Sequence, residues 1–354
     1  MRILFYDDVA RESYDPAIME SSGLGGTEST VVRIAQELSL THDVVVAQGA
    51  RTTPLKLHSS LHFLPSRELE PFSGRQPDWV IVLRKHRLIK QLRQRFPSSR
   101  LALWIHNWQR REVLAWRAEI AKQRCQIIAA SDAHRDHTNL LVNGTTARLL
   151  GKLLGNGEII EIHRIYNPVN PHLRADDTSY NPDKLIFFST ANKGLNQVLD
   201  TFTRIREALP NLRLCIAGST KETLFNYSEL DHSQLEQPGV EILGRLPQQE
   251  VLKHVRESLC AFYPQNRHAE TFGLIYAESN AVGTPVIAHN FGSAKEVLSS
   301  SEQLVDCTDT GELINRLREW RHSNRPNVFL RDEFTLSNVI EAWERFLVSS
   351  TITR

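Results

Sequence analysis

The sequence predicts an α/β protein made of two doubly wound domains, each with a parallel sheet. Short apolar runs alternate with helical patterns along most of the 354 residues, which is typical of parallel sheets covered by helices on both faces. The proline-containing segment 166–184 interrupts this alternation, which then begins again. A chain of this length is long enough for two ordinary domains, so we interpret that segment as the linker between them.

Each domain is predicted from its own series of buried strands. In the first half, apolar runs predict strands at 2–6, 43–47, 79–83, 101–105 and 126–130, with a helix at 29–39. In the second half they predict strands at 184–188, 212–218, 240–243, 258–264 and 284–290, with helices at 196–209 and 337–348. We therefore predict an N-terminal domain over 1–168, a C-terminal domain over 169–334, and a segment 335–354 whose helix crosses back onto the N-terminal domain. Ligands of open α/β sheets bind at the carboxyl ends of the strands, so the default site is a central cleft that both domains face.

Composition and charge exclude several classes of function. Hydrophobic residues make up 41% and charged residues 23%, as in folded globular proteins, and the net charge of +1 gives no reason to expect a nucleic-acid partner. The cysteines, at positions 125, 215, 260 and 307, are far apart, which argues against a zinc ribbon or a disulfide framework and indicates a reducing compartment. The stretch MRILFYDD does not resemble a signal peptide, and no apolar run approaches the ~20 residues of a membrane span. We expect a cytoplasmic protein, with at most a peripheral contact to the inner face of a membrane.

The basic segment 84–100 is the predicted place for such a contact. Residues 1–168 carry 23 Lys and Arg against 17 Asp and Glu, and the segment contributes seven of these cations and no acid. Its apolar residues would form one face of a helix: Leu88, Ile89, Leu92 and Phe96. Either this is a surface helix packed on the sheet, or it contacts anionic phospholipid or a phosphorylated acceptor.

Glycines precede a predicted helix in SSGLGGTESTVV (21–32). Gly23, Gly25 and Gly26 would let the backbone approach a ligand, and the N–H groups of a helix beginning near Glu28 would attract phosphate. The stretch is not a GxGxxG motif and does not directly follow the first strand. A flexible loop with a threonine or serine N-cap explains it equally well.

Two other candidate residues follow the carboxyl ends of predicted strands, where their side chains could contact a ligand. His106 directly follows the predicted strand 101–105, so it would lie at a carboxyl end; a structural histidine is the alternative. Lys193 lies in STANKGLNQVLD (189–200), after a strand and before a helix. A lysine there could contact phosphate, although a solvated lysine is no less consistent with the sequence.

The stretch HAETFGLIYAES (268–279) places Glu270 and Glu278 eight positions apart. We predict that Thr271 caps a helix over 272–282 and that Gly283 occupies its C′ position. The helix dipole alone would account for Glu270 but not for Glu278, which lies inside an otherwise apolar helix.

A ligand with two ends would account for both glutamates. The N–H groups near Phe272, Gly273 and Leu274 would bind a diphosphate, with Glu270 on one side of it. Glu278 would lie roughly 9–10 Å along the helix axis from the cap, within reach of the ribose of a nucleoside diphosphate.

The stretch that begins at Glu270, ETFGLIYAESNAVGTPVIAHNFGSAKEVL, resembles the E-x7-E signature of retaining glycosyltransferases with the GT-B fold, most like glycosyltransferase family 4. Other stretches are similar to family segments in the same order along the chain: GLGGTES, WIHN, IYNPV, NKGLNQVLDTFTRI and GRLPQQEVLKHV. The resemblance implies two Rossmann-like domains and transfer of a sugar from a nucleotide-diphosphate donor with retention at the anomeric carbon. UDP is the favoured nucleotide and GDP the next, and the acceptor is a glycan or a lipid-linked molecule.

The resemblance also implies roles for individual residues. Gly25 and Gly26 would approach the donor phosphates, and His106 would lie by the transferred sugar. Lys193 would neutralise the leaving diphosphate, and Arg245 and Leu246 would border the base. The remaining donor-binding residues are implied by the E-x7-E stretch: Glu270 on sugar hydroxyls, Thr271, Phe272, Gly273 and Leu274 at the helix start, and Glu278 on the ribose.

One departure from the family pattern concerns the leaving group. An arginine usually precedes the Lys-Gly pair, whereas FFSTANKG offers Ser189, Thr190 and Asn192. Either another cation such as Arg245 substitutes or the donor is held less tightly. No DxD-like motif lies at a strand end in the donor domain, so we expect neither a metal nor a cofactor. Two alternatives remain: a sugar-nucleotide epimerase or hydrolase of the same fold, and a non-catalytic nucleotide-sugar-binding protein.

Overall fold

The computed structural model describes residues 1–69, 74–110, 113–153, 157–322 and 325–349. The chain divides into two compact units. The first comprises Met1–Met19, Leu24–Pro168 and Leu336–Arg354, and the second comprises Glu20–Gly23 and Val169–Thr335. Residues 350–354 of the predicted last segment lie outside the described residues.

Strands and helices alternate along the chain, as the fold class requires. The strands are β1 (Arg2–Asp7), β2 (Asp43–Gln48), β3 (Leu55–His58), β4 (Leu61–Pro65), β5 (Trp79–Leu83), β6 (Arg100–Trp104), β7 (Cys125–Ala129), β8 (Ile162–Arg164), β9 (Asn181–Phe188), β10 (Arg213–Ala217), β11 (Val240–Gly244), β12 (Ser258–Tyr263) and β13 (Val286–Ala288). The helices are α1 (Pro16–Ser21), α2 (Gly26–Leu38), α3 (Ile89–Arg95), α4 (Val113–Lys122), α5 (Asp132–Asn143), α6 (Thr145–Leu153), α7 (Leu195–Ala208), α8 (Lys221–Phe225), α9 (His232–Leu235), α10 (Gln248–Arg256), α11 (Leu274–Ala281), α12 (Ala294–Val297), α13 (Thr310–Arg321) and α14 (Leu336–Ser349).

The first unit contains a sheet with the strand order β3-β4-β2-β1-β5-β6-β7-β8. All its pairs are parallel except β3 with β4. The central strands β1 and β5 are buried along almost their whole length, because helices cover both faces of a parallel sheet. The strand order reverses between β1 and β5, and such a reversal opens a crevice at the carboxyl ends of the two strands.

Helix α14 belongs to the first unit and packs on the same sheet. The ring of Trp343 lies 5.7 Å from that of Phe5 and 4.9 Å from that of Trp104, measured between centroids. Trp79 packs against Phe346 at 4.8 Å between ring centroids and donates its indole N–H to the carbonyl of Leu347. The last helix therefore contributes large apolar side chains to the core of the first unit.

The second unit contains a fully parallel sheet with the order β11-β10-β9-β12-β13. Its strand order reverses between β9 and β12, and every residue of β12 is buried. Two parallel, doubly wound sheets confirm the predicted fold class. Within the described residues, no helix is both long enough and apolar enough to cross a bilayer.

The pattern of apolar residues predicted most of the buried strands and missed three others: β3, β4 and β8. β3 is mostly exposed and β8 has three residues, so neither carries a long apolar run. β4 is mostly buried, but His62 interrupts its short apolar run. The predicted start of α2 near Glu28 was wrong by two residues. Gly25 is extended and acts as the N-cap, and its carbonyl accepts from the N–H of Ser29 at 2.9 Å.

The basic segment 84–100 packs its apolar face inward. Ile89, Leu92 and Phe96 are buried in the core of the first unit, as the surface-helix interpretation requires. Arg93 also turns inward and donates to the carbonyl of Ser99 at 2.6 Å and to that of Gln123 at 2.8 Å. The exposed cations of this segment are Lys85, Arg87, Lys90 and Arg95.

Candidate active site

The strand reversal in the second unit brings two of the predicted site residues together. The loop after β9 carries Lys193, and the loop after β12 carries Glu270. Their side chains form an ion pair of 3.0 Å between Nζ and Oε2. Glu270 is mostly buried, whereas Lys193 is 38% exposed, so one end of the pair can meet a ligand in solvent.

Tyr263, the last residue of β12, holds the other oxygen of the same carboxylate. Its hydroxyl donates to Oε1 of Glu270 at 2.7 Å, and the residue is fully buried. Burial raises the pKa of Tyr263 well above its usual value, and the charge of Glu270 raises it further, so the phenol stays protonated and remains a donor. The carboxylate is therefore fixed from two sides. Tyr263 was not predicted from the sequence, although its position at the end of a buried strand was a usable signal.

The segment between Glu270 and helix α11 differs from the prediction. Thr271 is not the N-cap: the helix begins at Leu274 and its N-cap is Gly273, in the left-handed region at φ 82°. A side chain at position 273 would place its Cβ 2.5 Å from Cδ2 of Tyr276, so only glycine fits. A loop of three residues thus separates Glu270 from the helix.

The start of α11 still presents backbone donors. The N–H groups of Leu274 and Ile275 precede the first hydrogen bond of the helix, which Tyr276 donates to the carbonyl of Gly273 at 2.9 Å. Ser293 supports the preceding loop, since its hydroxyl donates to the carbonyl of Phe272 at 2.7 Å. The helix continues to Ala281, and Gly283, at φ 76°, follows the C-cap as predicted.

Glu278 lies one helical turn beyond the start of α11, closer to it than predicted. It lies five positions after Gly273, a rise of about 7.5 Å, because the helix begins later than expected. The carboxylate is buried and accepts from the amide of Gln248 at 2.6 Å. Gln248 begins α10, two residues after Leu246, so the loop predicted to border the base lies beside Glu278.

Arg245, the candidate for a second cation near the diphosphate, makes a different contact. It is exposed, and its guanidinium donates to the carbonyl of Gly23 at 3.4 Å. Gly23 lies in the short segment Glu20–Gly23 that belongs to the second unit.

The strand reversal in the first unit carries a second polar cluster, which was not predicted from the sequence. Arg84 directly follows β5 and pairs with Asp7, at the end of β1, at 2.7 Å, and with Glu28 at 3.0 Å. Tyr14 donates its hydroxyl to Asp7 at 3.0 Å. Arg84 adopts φ 63°, which is uncommon for a residue other than glycine, and such backbone strain is concentrated at functional sites.

Gly25 and Gly26 form the start of α2 beside this cluster. A Cβ at position 25 would lie 2.5 Å from a carboxylate oxygen of Glu28, so that carboxylate lies over the start of the helix. His106 follows β6, the strand next to β5, and its ring lies 4.5 Å from that of Trp104. Burial lowers the pKa of His106 well below its usual value and nearby Arg84 lowers it further, so the imidazole is neutral at pH 7.

The loop that carries His106 is fastened to helix α5 by a buried histidine. His134 contacts the carbonyl of Asn107 through Nε2 at 3.1 Å and accepts from the N–H of Ala130 through Nδ1 at 3.3 Å. Burial lowers the pKa of His134 to about 4, and the neutral ring satisfies both contacts. His134 therefore helps to position the loop.

The low pKa of His134 predicts a pH-dependent stability. The unfolded chain takes up this proton near pH 6.5 and the folded chain only near pH 4, so the unfolded state binds more protons between the two values. Stability should fall as the pH drops through this interval, by up to about 3 kcal/mol from this residue. We expect the variant His134→Gln, whose side chain keeps one acceptor and one donor, to lose the part of the pH dependence of stability that comes from His134. Urea unfolding of both proteins at pH 7 and pH 4.5, followed by tryptophan fluorescence, measures the difference; an equal pH dependence in both proteins would contradict the assignment.

Comparisons with known proteins agree with this architecture. Residues 173–332 match the family model described as glycosyl transferases group 1. A curated relative, the glycogen synthase of Mycobacterium tuberculosis, is 28% identical over 116 residues, which is 32% of this chain and 27% of that protein. The match thus spans about a quarter of the relative's length.

Solved structures of other proteins share the fold. Sucrose-phosphate synthase from Thermosynechococcus elongatus superposes with a TM-score of 0.67 at 14% identity, covering 99% of this chain and 98% of that one. The pneumococcal O-GlcNAc transferase GtfA, solved with UDP and GlcNAc, gives a TM-score of 0.56 at 15% identity and covers 79% and 58% of the two chains. The matched family model and the shared fold together support a glycosyltransferase with the GT-B fold.

Proposed function

We propose that this chain is a retaining glycosyltransferase that transfers a sugar from a nucleotide-diphosphate donor to a glycan or lipid-linked acceptor. The donor is a UDP-sugar in the first instance, with a GDP-sugar next, and the reaction needs no metal or cofactor. The observation that carries the proposal is the pairing of Lys193 with Glu270 at the strand reversal of the second unit, next to the start of α11. UDP in the related GtfA structure supports the choice of nucleotide.

Each part of this arrangement has a place in the chemistry. Transfer from a sugar nucleotide requires stabilisation of the negative charge that develops on the leaving diphosphate. Lys193 supplies a cation for it, and the N–H groups of Leu274 and Ile275 supply dipolar donors. Glu270, fixed by Tyr263 and Lys193, accepts hydrogen bonds from hydroxyls of the transferred sugar.

The anomeric configuration is retained because the acceptor attacks the anomeric carbon on the same face from which the leaving group departs. The bond between the anomeric carbon and the diphosphate oxygen breaks, and the acceptor oxygen forms its new bond on the same face. The leaving phosphate oxygen takes the acceptor proton, so no separate protein base is needed. Of the residues in the first unit, the family resemblance assigns His106, neutral at pH 7, to a hydrogen bond with the sugar, and Gly25 and Gly26 to the donor phosphates.

A panel of sugar nucleotides tests the function. Nucleotide release is measured in EDTA for UDP- and GDP-sugars, with and without glycan and lipid-linked acceptors, and the product's anomeric configuration is determined by NMR. Release that requires an acceptor, with retained configuration, supports the proposal. Release without acceptor indicates a hydrolase or an epimerase, and binding with no release under any condition indicates a nucleotide-sugar-binding protein.

Glu278→Ala should weaken donor binding more than it slows the chemical step. A carboxylate on the ribose hydroxyls binds donor and transition state equally, so KM for the donor should rise about 10- to 100-fold with kcat little changed. The wild type should also bind UDP more tightly than 2′-deoxy-UDP, and the variant should lose that preference. A variant that keeps the preference would place the ribose elsewhere.

A further inference from the structure

We propose that helix α6 of the first unit is an attachment surface for an anionic membrane. The surface comprises α6 and the exposed apolar residues that flank it in sequence. Leu149 is 58% exposed and Leu153 is 84% exposed, and they lie one turn apart on the helix. Leu140, near the end of α5, is 73% exposed, and Ile159, after the helix, is 65% exposed.

Among the side chains of α6 that the structure describes, the small ones face inward. Ala147 and Gly151, also one turn apart, are buried against the unit. This reverses the usual amphipathic arrangement, in which the large apolar side chains face the core. Leu149 and Leu153 therefore contribute little to the unit's own core, and their side chains can pack into another apolar environment.

The charge around these leucines favours a lipid surface over a protein partner. Arg148 and Lys152 are exposed, each directly before one of the two leucines. The sequence from 137 to 157 contains no Asp or Glu, and the flanking acids Asp136 and Glu158 are exposed beside Leu140 and Ile159, at the edges of the surface. Interfacial helices combine apolar side chains with flanking cations whose stems lie along the lipid while the charge stays at the headgroups. Of these two cations, lysine is depleted at protein interfaces, whereas arginine is enriched there. Phosphatidylglycerol or a similar anionic lipid fits both features.

The alternative surface, segment 84–100, lacks the apolar component. Its cations Lys85 and Lys90 are exposed, but Ile89, Leu92 and Phe96 are buried. That segment can attract an anionic surface from a distance, whereas α6 can also insert into it. The two surfaces therefore predict different variants to be defective.

Vesicle flotation distinguishes them. The full chain is mixed with phosphatidylcholine vesicles or with vesicles that also contain phosphatidylglycerol, at low and high salt. We expect binding to the anionic vesicles, about tenfold weaker in the double variant L149S/L153S and less affected in K85E/K90E. Leu57→Ser, at another exposed leucine of the same unit, is the matched control and should bind as the wild type does.

A fluorescent probe tests insertion directly. All four cysteines of the chain are buried, so Leu149→Cys can be labelled selectively with an environment-sensitive dye. Its emission should shift to the blue on addition of anionic vesicles. The proposal is overturned by absence of binding to either vesicle, or by a loss confined to K85E/K90E. It is also overturned if the wild type self-associates through α6 and L149S/L153S is monomeric by light scattering.

Discussion

Glu270→Gln should lower the rate of sugar transfer by about 10²- to 10³-fold while leaving the fold intact. Gln keeps the size of the side chain but removes the charge that accepts from Tyr263 and pairs with Lys193. Removal of one well-placed group that stabilises a transition state lowers the rate constant by a factor of this order. Because the interaction with sugar hydroxyls strengthens in the transition state, the loss should appear mainly in kcat. Initial rates with the best donor and acceptor, over a range of donor concentrations, measure it.

A matched pair in the same unit provides the control. Lys184 and Glu257 form an ion pair of 2.8 Å, but Lys184 lies in the middle of β9 and Glu257 before β12, away from the carboxyl ends that carry the site. Glu257→Gln removes a comparable charge and should transfer sugar at close to the wild-type rate. If both variants lose activity equally, the effect is one of stability, which the melting temperatures would reveal. A wild-type rate for Glu270→Gln would refute the central assignment.

The fold could be predicted because its strands are buried on both faces. The sequence of a strand such as β5 or β12 is a short, nearly continuous apolar run. Such a run is typical of a strand buried on both faces of a parallel sheet, and less typical of a helix or a loop. Exposed and short strands such as β3 and β8 carry no such run, so their pairing became visible only in the structure. Helix α6 was not predicted, and small residues at helical spacing would not have indicated which of its sides is buried.

The candidate site was predictable where a motif lies on one continuous stretch. Glu270, Glu278 and the helix between them came from a single segment of the chain, although Thr271 was wrongly chosen as the cap. Lys193 was assigned to the same site by the family resemblance, but the other partners from distant segments were not predicted. Tyr263 and Gln248 contact the two glutamates only because neighbouring strands and helices bring them there, and the pairing of Asp7 with Arg84 depends on the strand order.

The Lys193–Glu270 pair also bears on the arginine that the sequence lacks. With no arginine a few residues before the Lys-Gly pair, the proposed reaction leaves more of the leaving-group charge to Lys193 and to the helix start. The side chain of Lys193 is 38% exposed, so the approach of a diphosphate requires no rearrangement of the core. Its ammonium can contact the diphosphate while the unused lone pairs of the Glu270 carboxylate accept hydrogen bonds from the sugar hydroxyls.

Lys193→Met should therefore reduce transfer by about 10²- to 10³-fold and should weaken binding of the diphosphate specifically. Loss of a hydrogen bond between charged groups corresponds to about a 10- to 100-fold loss of affinity. We expect that loss for UDP and little change for uridine, which has no phosphate, when both are measured by calorimetry. Lys184→Met is the matched control and should bind both as the wild type does, and Lys193→Arg should recover part of the rate because it restores the charge. An equal loss for UDP and uridine would mean that Lys193 acts on the shape of the site through Glu270 rather than on the leaving group.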